Sequence, residues 1–111
     1  MESIRPWGNY EVLKTDNGYQ IKILNIYATK RLSLQMHMYR EETWYVVAGR
    51  GMAQVEGAEI LLYPGVIVNV PMRATHRITA TTDLKIIEIQ TGSYFGEDDI
   101  IRLDDDYGRV V

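Results

Sequence analysis

The sequence predicts an all-β protein whose antiparallel strands close into a sandwich or barrel. Three observations carry that expectation. Short segments rich in β-branched and aromatic residues recur along the chain. Turn signals such as Gly49-Arg50-Gly51, Glu56-Gly57-Ala58 and Pro64-Gly65 separate them. Residues 32–37 alternate apolar Leu32, Leu34 and Met36 with polar Ser33, Gln35 and His37, which is the two-residue period of a strand. No stretch reads as an amphipathic helix longer than one or two turns. With 111 residues, 46% of them hydrophobic, the chain suits one domain spanning residues 1–111.

The elements follow in order. Arg5-Pro6-Trp7-Gly8 reads as part of an ordered extended arm, about residues 1–10, because a lone tryptophan in a floppy tail is unusual. Residues 21–27 form a strand, and residues 32–37 form another with one apolar and one polar face. Residues 44–47 are a strand stopped by Gly49. Residues 52–55 and 59–63 form a hairpin around Glu56-Gly57-Ala58. Residues 66–70 are a strand ended by Pro71, and strands over 76–80 and 84–90 follow. Residues 97–106 could be a short helix or a strand. There is no solenoid repeat and no low-complexity linker.

Net charge is −3, and it is unevenly placed. Residues 97–111 hold six acids (Glu97, Asp98, Asp99, Asp104, Asp105, Asp106) and two bases (Arg102, Arg109), a net of −4, so the remainder carries +1. This acidic tail reads as a solvated end. No broad basic field is present to grip a nucleic-acid backbone, although a small basic cluster could hold one phosphate. No apolar run nears the ~20 residues of a membrane span, and the first six residues lack the pattern of a signal peptide. The absence of cysteine removes disulfides and thiolate metal sites. Together these point to the cytoplasm, with no nucleic-acid or membrane partner.

The two histidines carry the chemistry. His37 lies two residues after Gln35 and five before Glu42, and His76 lies five after Pro71. Imidazole nitrogen, carboxylate oxygen and amide oxygen make a mixed donor set suited to a divalent metal. Alternation puts Gln35 and His37 on one face. A turn over residues 38–41 is expected to reverse the chain into a hairpin, with Glu42 opening the next strand opposite that face. His76 then arrives from a distant strand by barrel closure. A cation held by one carboxylate keeps about one net positive charge, suited to stabilising an oxyanion or enediolate in a dry cavity. The same side chains could instead be a polar cluster at a barrel mouth. Arg40, in the turn at the expected rim, could bind an anion or be a surface residue. Glu41 reads as a solvated neighbour, Trp44 and Tyr45 as sheet packing, and Met36, Met38 and Met52 as gap-filling core.

At these residues the chain resembles a known family. Glu42 and Gly49, enclosing six residues, match the end of the first cupin motif, with Gln35 in place of its first histidine and His37 as its second. Gly65, Pro71 and His76 match the second motif. The closer resemblance is to the type II mannose-6-phosphate isomerase domain, the C-terminal part of bifunctional mannose-1-phosphate guanylyltransferase/isomerases. It rests on Arg5-Pro6-Trp7-Gly8, Leu32-Ser33-Leu34-Gln35-Met36-His37, Arg40-Glu41-Glu42-Thr43-Trp44, Gly96-Glu97-Asp98-Asp99-Ile100-Ile101-Arg102 and Asp106-Tyr107-Gly108-Arg109, in order over nearly the whole chain. The resemblance implies a small antiparallel double-stranded β-helix, the cupin or jelly-roll barrel. It implies an isomerase interconverting mannose 6-phosphate and fructose 6-phosphate through a cis-enediolate. The implied metal ligands are Gln35, His37, Glu42 and His76, holding zinc first, with manganese, cobalt, nickel or iron as alternatives. Arg40 is the catalytic candidate for orienting substrate or stabilising charge, and Arg102 and Arg109 are candidates for contacting the phosphate. With both histidines committed, the base would be a carboxylate or a metal-held hydroxide.

The chain also departs from the family. Met38, Tyr39 and Thr43 stand where histidines are usual, and Thr29 and Arg73 where glycines are usual. The lost histidines motivate a second reading, a non-catalytic metal- and sugar-binding module acting with a separate nucleotidyltransferase. A metal-dependent dioxygenase is a third reading, against which the arm and tail resemble the isomerase group. No glycine-rich nucleotide loop is present, so guanylyltransferase activity is not expected of this chain. The extended arm and the exposed edges of a small sandwich predict a homodimer.

Overall fold

The computed structural model describes residues 2–109. Among these, eleven strands build two antiparallel sheets that face each other. The first sheet runs in the order β1 (Glu2–Arg5), β2 (Gly8–Asp16), β3 (Tyr19–Ile26), β10 (Leu84–Gly92), β5 (Arg40–Ala48), β8 (Ile67–Val70). The second runs β11 (Ile100–Asp104), β4 (Leu34–His37), β9 (His76–Ala80), β6 (Gly51–Val55), β7 (Ala58–Leu62). A 3₁₀ turn, Glu97–Asp99, precedes β11, so the tail holds both a short helix and a strand. The extended start folds back as β1 on β2, and Trp7 is buried.

Alternation builds a graded interior. On β3 the inward residues are Gln20, Lys22, Leu24 and Ile26; on β10 they are Leu84, Ile86, Glu88 and Gln90; on β5 they are Arg40, Glu42, Trp44 and Val46. The register aligns these series. Leu84 stands opposite Ile26, Ile86 opposite Leu24 and Val46, Glu88 opposite Lys22 and Trp44, and Gln90 opposite Gln20 and Glu42. One end of the interior is therefore apolar and the other polar. Each fully buried Ile or Val at the apolar end stabilises by about 1.5–3 kcal/mol.

Two turns show local chemistry. The β6–β7 hairpin turns at Glu56-Gly57 with φ of 51° and 80°, the left-handed pair that suits strand twist. Gly49, which ends β5, has φ 91°, and a Cβ there would lie 2.0 Å from the Asp83 carbonyl oxygen, so only glycine fits. Thr29 and Arg73, which stand where the family usually has glycine, keep the glycine conformation at φ 70° and 63°.

Three expectations need correction. Residues 34–37 and 40–48 do not form a hairpin. β4 pairs with β9 and β11, while β5 pairs with β8 and β10, so Met38-Tyr39 carries the chain from one sheet to the other. His76 does not come from far away, because it stands opposite Gln35 in the neighbouring strand. Met36, Met38 and Met52 are half-buried rather than core: polar side chains take the inward positions of β4, and Gly51 and Ala53 those of β6.

Candidate metal centre and its cavity

The polar end of the interior encloses a cavity with about 600 Å³ of free space, its open mouth included. His37 from β4, His76 from β9 and Glu42 from β5 meet there, all three buried, with ligand atoms within 4.8 Å of one another. The crossing at Met38-Tyr39 brings this about, since it sets Glu42 across the interior from His37. Glu42 Oε2 lies 3.1 Å from His37 Nε2, and Oε1 lies 3.8 Å from His76 Nε2.

The outer nitrogens of both rings are engaged by main chain. His37 Nδ1 lies 3.2 Å from the Asp99 carbonyl oxygen and His76 Nδ1 lies 2.9 Å from that of Ala74. Carbonyls only accept, so these bonds select the tautomer with hydrogen on Nδ1 and a lone pair on Nε2. Two Nε2 lone pairs and a carboxylate then face one point, an arrangement that calls for positive charge among the donors, part of which the Arg40 guanidinium supplies from one side. That chemistry fits a divalent metal, and the carbonyls supply the orienting contacts such histidines need. Gln35 is buried, opposite His76, and lines the same cavity.

Arg40 does not sit at a surface rim. Its side chain is 3% exposed, with Nε 3.3 Å from Glu42 Oε2 and Nη2 3.3 Å from His37 Nε2. The Nε contact has ion-pair distance without hydrogen-bond alignment, and that atom has no hydrogen-bond partner among the described residues. As the first inward residue of β5, Arg40 necessarily shares the face of Glu42.

Glu88 was not singled out in the sequence. It lies beside Glu42 on the inward face of β10, and the two share Trp44 Nε1, which donates at 3.1 Å to Glu42 Oε1 and 3.4 Å to Glu88 Oε1. Gln90 Nε2 donates to Glu88 Oε2 at 3.2 Å, while Gln90 Oε1 finds no partner among the described residues. Burial pushes both carboxyls up. At Glu42 the hydrogen bond from Glu88 and the neighbouring histidines outweigh it, and its value lies well below the ordinary range. At Glu88 the charge and hydrogen bond of Glu42 add to burial, so its value lies well above that range. The pair is one anion and one neutral acid. Burial also lowers His76, against the pull of Glu42, favouring its neutral, ligating form.

Arg102 and Arg109 line the cavity, and Arg5 and Lys22, missed in the sequence, line it too. Arg109 is already held by Asp105, at 2.8 and 3.0 Å. The tail is not wholly solvated: Asp99 is buried and its carboxylate accepts the Met38 and Tyr39 N–H groups at 3.0 and 3.1 Å. It thereby pins the crossing between His37 and Arg40.

Comparison with known proteins agrees with this geometry. The family model described as "Mannose-6-phosphate isomerase C-terminal" matches residues 1–105. The chain is 41% identical over 99% of its length to the alginate biosynthesis protein AlgA of Pseudomonas aeruginosa. It is 39% identical over 98% to the mannose-1-phosphate guanylyltransferase ManC of Salmonella typhimurium. It spans 23% of the length of each of these relatives. Among solved structures, KdgF from Halomonas sp. superposes with a TM-score of 0.79 over 86% of both chains at 18% identity, a likeness of fold. A two-sheet barrel with its donors at one end, matched over nearly its whole length by one family model, belongs to the cupin-fold family of mannose-6-phosphate isomerase C-terminal domains.

Proposed function

We propose that this protein is a metal-dependent sugar-phosphate isomerase interconverting mannose 6-phosphate and fructose 6-phosphate. The observation that carries the reading is the convergence of His37, Glu42 and His76 in a cavity that also holds a neutral acid and several fixed cations. A bound divalent cation, zinc first and manganese, cobalt, nickel or iron otherwise, would supply Lewis-acid polarisation of the sugar carbonyl. His37 Nε2, His76 Nε2 and the Glu42 carboxylate would hold it, with the Gln35 amide oxygen as fourth donor. Arg40 orients the sugar oxygens and balances the negative charge that develops on them.

The reaction moves a proton between neighbouring carbons, so one group must take it and return it. Glu88 is assigned that task, because Glu97, the other cavity carboxyl outside the metal cluster, is engaged by Arg5 and Lys22. Glu88 must first give up its own proton. Any cation that screens Glu42 eases that loss, since the charge of Glu42 is part of what keeps Glu88 neutral. Trp7, Leu24, Trp44 and Ile78 supply the apolar wall that limits water.

The departures from the family do not strip this cavity. Met38, Tyr39 and Thr43 are absent from its lining; Tyr39 is exposed, and the Thr43 hydroxyl bonds Asn69 across β5 and β8. That observation favours an isomerase over a binding module. We place the activity in the cytoplasm, in a homodimer with a nucleotidyltransferase as its partner. A monomer by light scattering at micromolar concentration would remove the dimer.

The test is conversion of mannose 6-phosphate to fructose 6-phosphate by protein stripped of metal and reloaded with each candidate ion. Metal-dependent turnover that His37→Ala abolishes is expected. Metal uptake without turnover for any ion would overturn the isomerase in favour of the binding module.

A further inference from the structure

The cavity is basic although the chain is acidic. Five permanent cations line it (Arg5, Lys22, Arg40, Arg102, Arg109) against three carboxyls (Glu42, Glu88, Glu97). Arg40 is balanced by Glu42 and Arg109 by Asp105. Of the remaining three, two pair with the same carboxylate, Glu97. Lys22 Nζ lies 3.6 Å from Glu97 Oε2, and Arg5 Nη2 lies 3.3 Å from Glu97 Oε1. Arg102 has no carboxylate within ion-pair distance among the described residues, and it stands near the charge of Arg109.

Lys22 is the telling residue. Its side chain is 6% exposed, on a strand face whose next inward residues are Leu24 and Ile26. An apolar side chain there would fold without the desolvation cost of a buried ammonium. The Tyr10 ring 4.4 Å away offers a cation–π contact, and the Tyr10 hydroxyl donates to Glu97 Oε1 at 3.2 Å. Glu97 enters from the 3₁₀ turn, and its side chain is 41% exposed. It is one anion, partly in water, set against several cations behind it.

We propose that Lys22, Arg5 and Arg102 form the phosphate-binding end of the cavity, and that Glu97 is an internal counter-ion which an incoming phosphate monoester displaces. The ligand's identity rests on the sugar-phosphate reading above. A phosphate monoester carries about −1.5 to −2 at neutral pH, which answers the uncompensated cations better than one carboxylate does. The spacing also suits such a ligand. Lys22 lies two strands from Glu42, roughly 10 Å at the usual strand separation, comparable with the reach of an open-chain hexose from its carbonyl end to a phosphate on its sixth carbon. The arrangement makes Lys22 and Glu97 opposed in effect. The cation attracts the phosphate, and the carboxylate competes with it for the same partners.

Amide chemical-shift titration of the metal-free full chain tests this, with inorganic phosphate and mannose 6-phosphate as probes and mannose as the neutral control. Both phosphates are expected to bind and mannose to be far weaker. Lys22→Met and Arg102→Gln should weaken phosphate about ten- to a hundredfold, the loss of one charge-assisted contact. Glu97→Gln should tighten it, which a purely structural Glu97 would not do. Wild-type affinity in both cation variants, weaker binding by Glu97→Gln, or no phosphate binding by the wild type overturns the proposal. Lys22-dependent phosphate binding in a protein without turnover keeps this site and ends the isomerase reading. Turnover with an unchanged KM for mannose 6-phosphate in Lys22→Met does the reverse.

Discussion

Glutamine at position 42 and glutamine at position 88 should have opposite consequences in metal-free protein, although each removes a carboxyl from the same cavity. Glu42 is the anion for buried Arg40, with Nε and Oε2 3.3 Å apart and both side chains 3% exposed. At an effective dielectric of about 20, Coulomb's law gives about 5 kcal/mol at this separation. Removing one partner of a buried pair typically costs about 3–5 kcal/mol. For a domain whose whole stability is about 5–15 kcal/mol, Glu42→Gln should remove a large share. Glu88 is already neutral, so Glu88→Gln exchanges one uncharged acceptor for another. Its oxygen can still take the Trp44 Nε1 hydrogen, and the cost should stay within about 1 kcal/mol. The pH dependence separates them further. The depressed Glu42 contributes stability that is present above the ordinary carboxylate value and lost as pH falls through its lower folded value. The raised Glu88 costs stability increasingly as pH climbs from the ordinary value, about 4, toward its folded value. Glu88→Gln should therefore gain on the wild type as pH rises through that window. Urea unfolding in chelator reads both effects, the Glu42 loss below about pH 4 and the Glu88 cost above it. Equal losses at neutral pH would refute the assignment of the negative charge to Glu42.

Other expectations are direct. Thr29→Gly and Arg73→Gly should each raise Tm, by up to about 6 °C. The left-handed conformation costs a side chain about 1–2 kcal/mol, glycine gives back about 0.5–1 through chain entropy, and both residues are exposed; calorimetry showing a lower Tm would contradict the strain. His76→Ala should abolish stoichiometric metal uptake by the chelator-treated protein, read by elemental analysis after dialysis, because it removes one of two nitrogen donors. The Asp105 carboxyl, held by Arg109 at about 2, contributes stability that disappears as pH falls from about 4 toward that value. The stability gap between wild type and Asp105→Asn should shrink over the same window in acid unfolding, and a constant gap would count against the ion pair.

How legible the site is in the sequence depends on what a two-residue period can encode. It places Gln35 with His37, and the structure turns that face inward; Arg40, read as part of a turn, shares the inward face of Glu42 because β5 already begins at Arg40. It does not encode which sheet a strand joins. A two-residue link between strands reads by default as a hairpin, and only the pairing of β4 with β9 and β11 shows that the chain crosses the barrel there. The same rule applied to Leu84-Lys85-Ile86-Ile87-Glu88-Ile89-Gln90 would have put Glu88 and Gln90 on one face with Ile86. A single acid among isoleucines looks like a solvated outward position until the interior is known to be polar at that end. Lys22 is hidden in the same way. Asp99 and Glu97 merge into an acidic tail in the sequence, and their separate tasks exist only once β11 docks on β4.

The grading of the interior has a thermodynamic consequence. Ile26, Val46, Ile78, Leu84 and Ile86 hold the sheets together at one end, whereas the other end buries Lys22, Arg40 and facing lone pairs that destabilise the empty barrel. Such a cavity is completed by what it binds. Each ligand that binds only the folded chain adds RT ln(1 + [L]/Kd), about 2.7 kcal/mol at a hundred times Kd. Metal and phosphate act at different ends of the cavity, so their stabilisations should add when given together and each should be lost selectively. His37→Ala should cancel the increase in Tm from metal and spare that from phosphate, and Lys22→Met should do the opposite. If both variants cancelled both increases, the two ends would not be separate sites, and the barrel would have to be read as one coupled polar cluster.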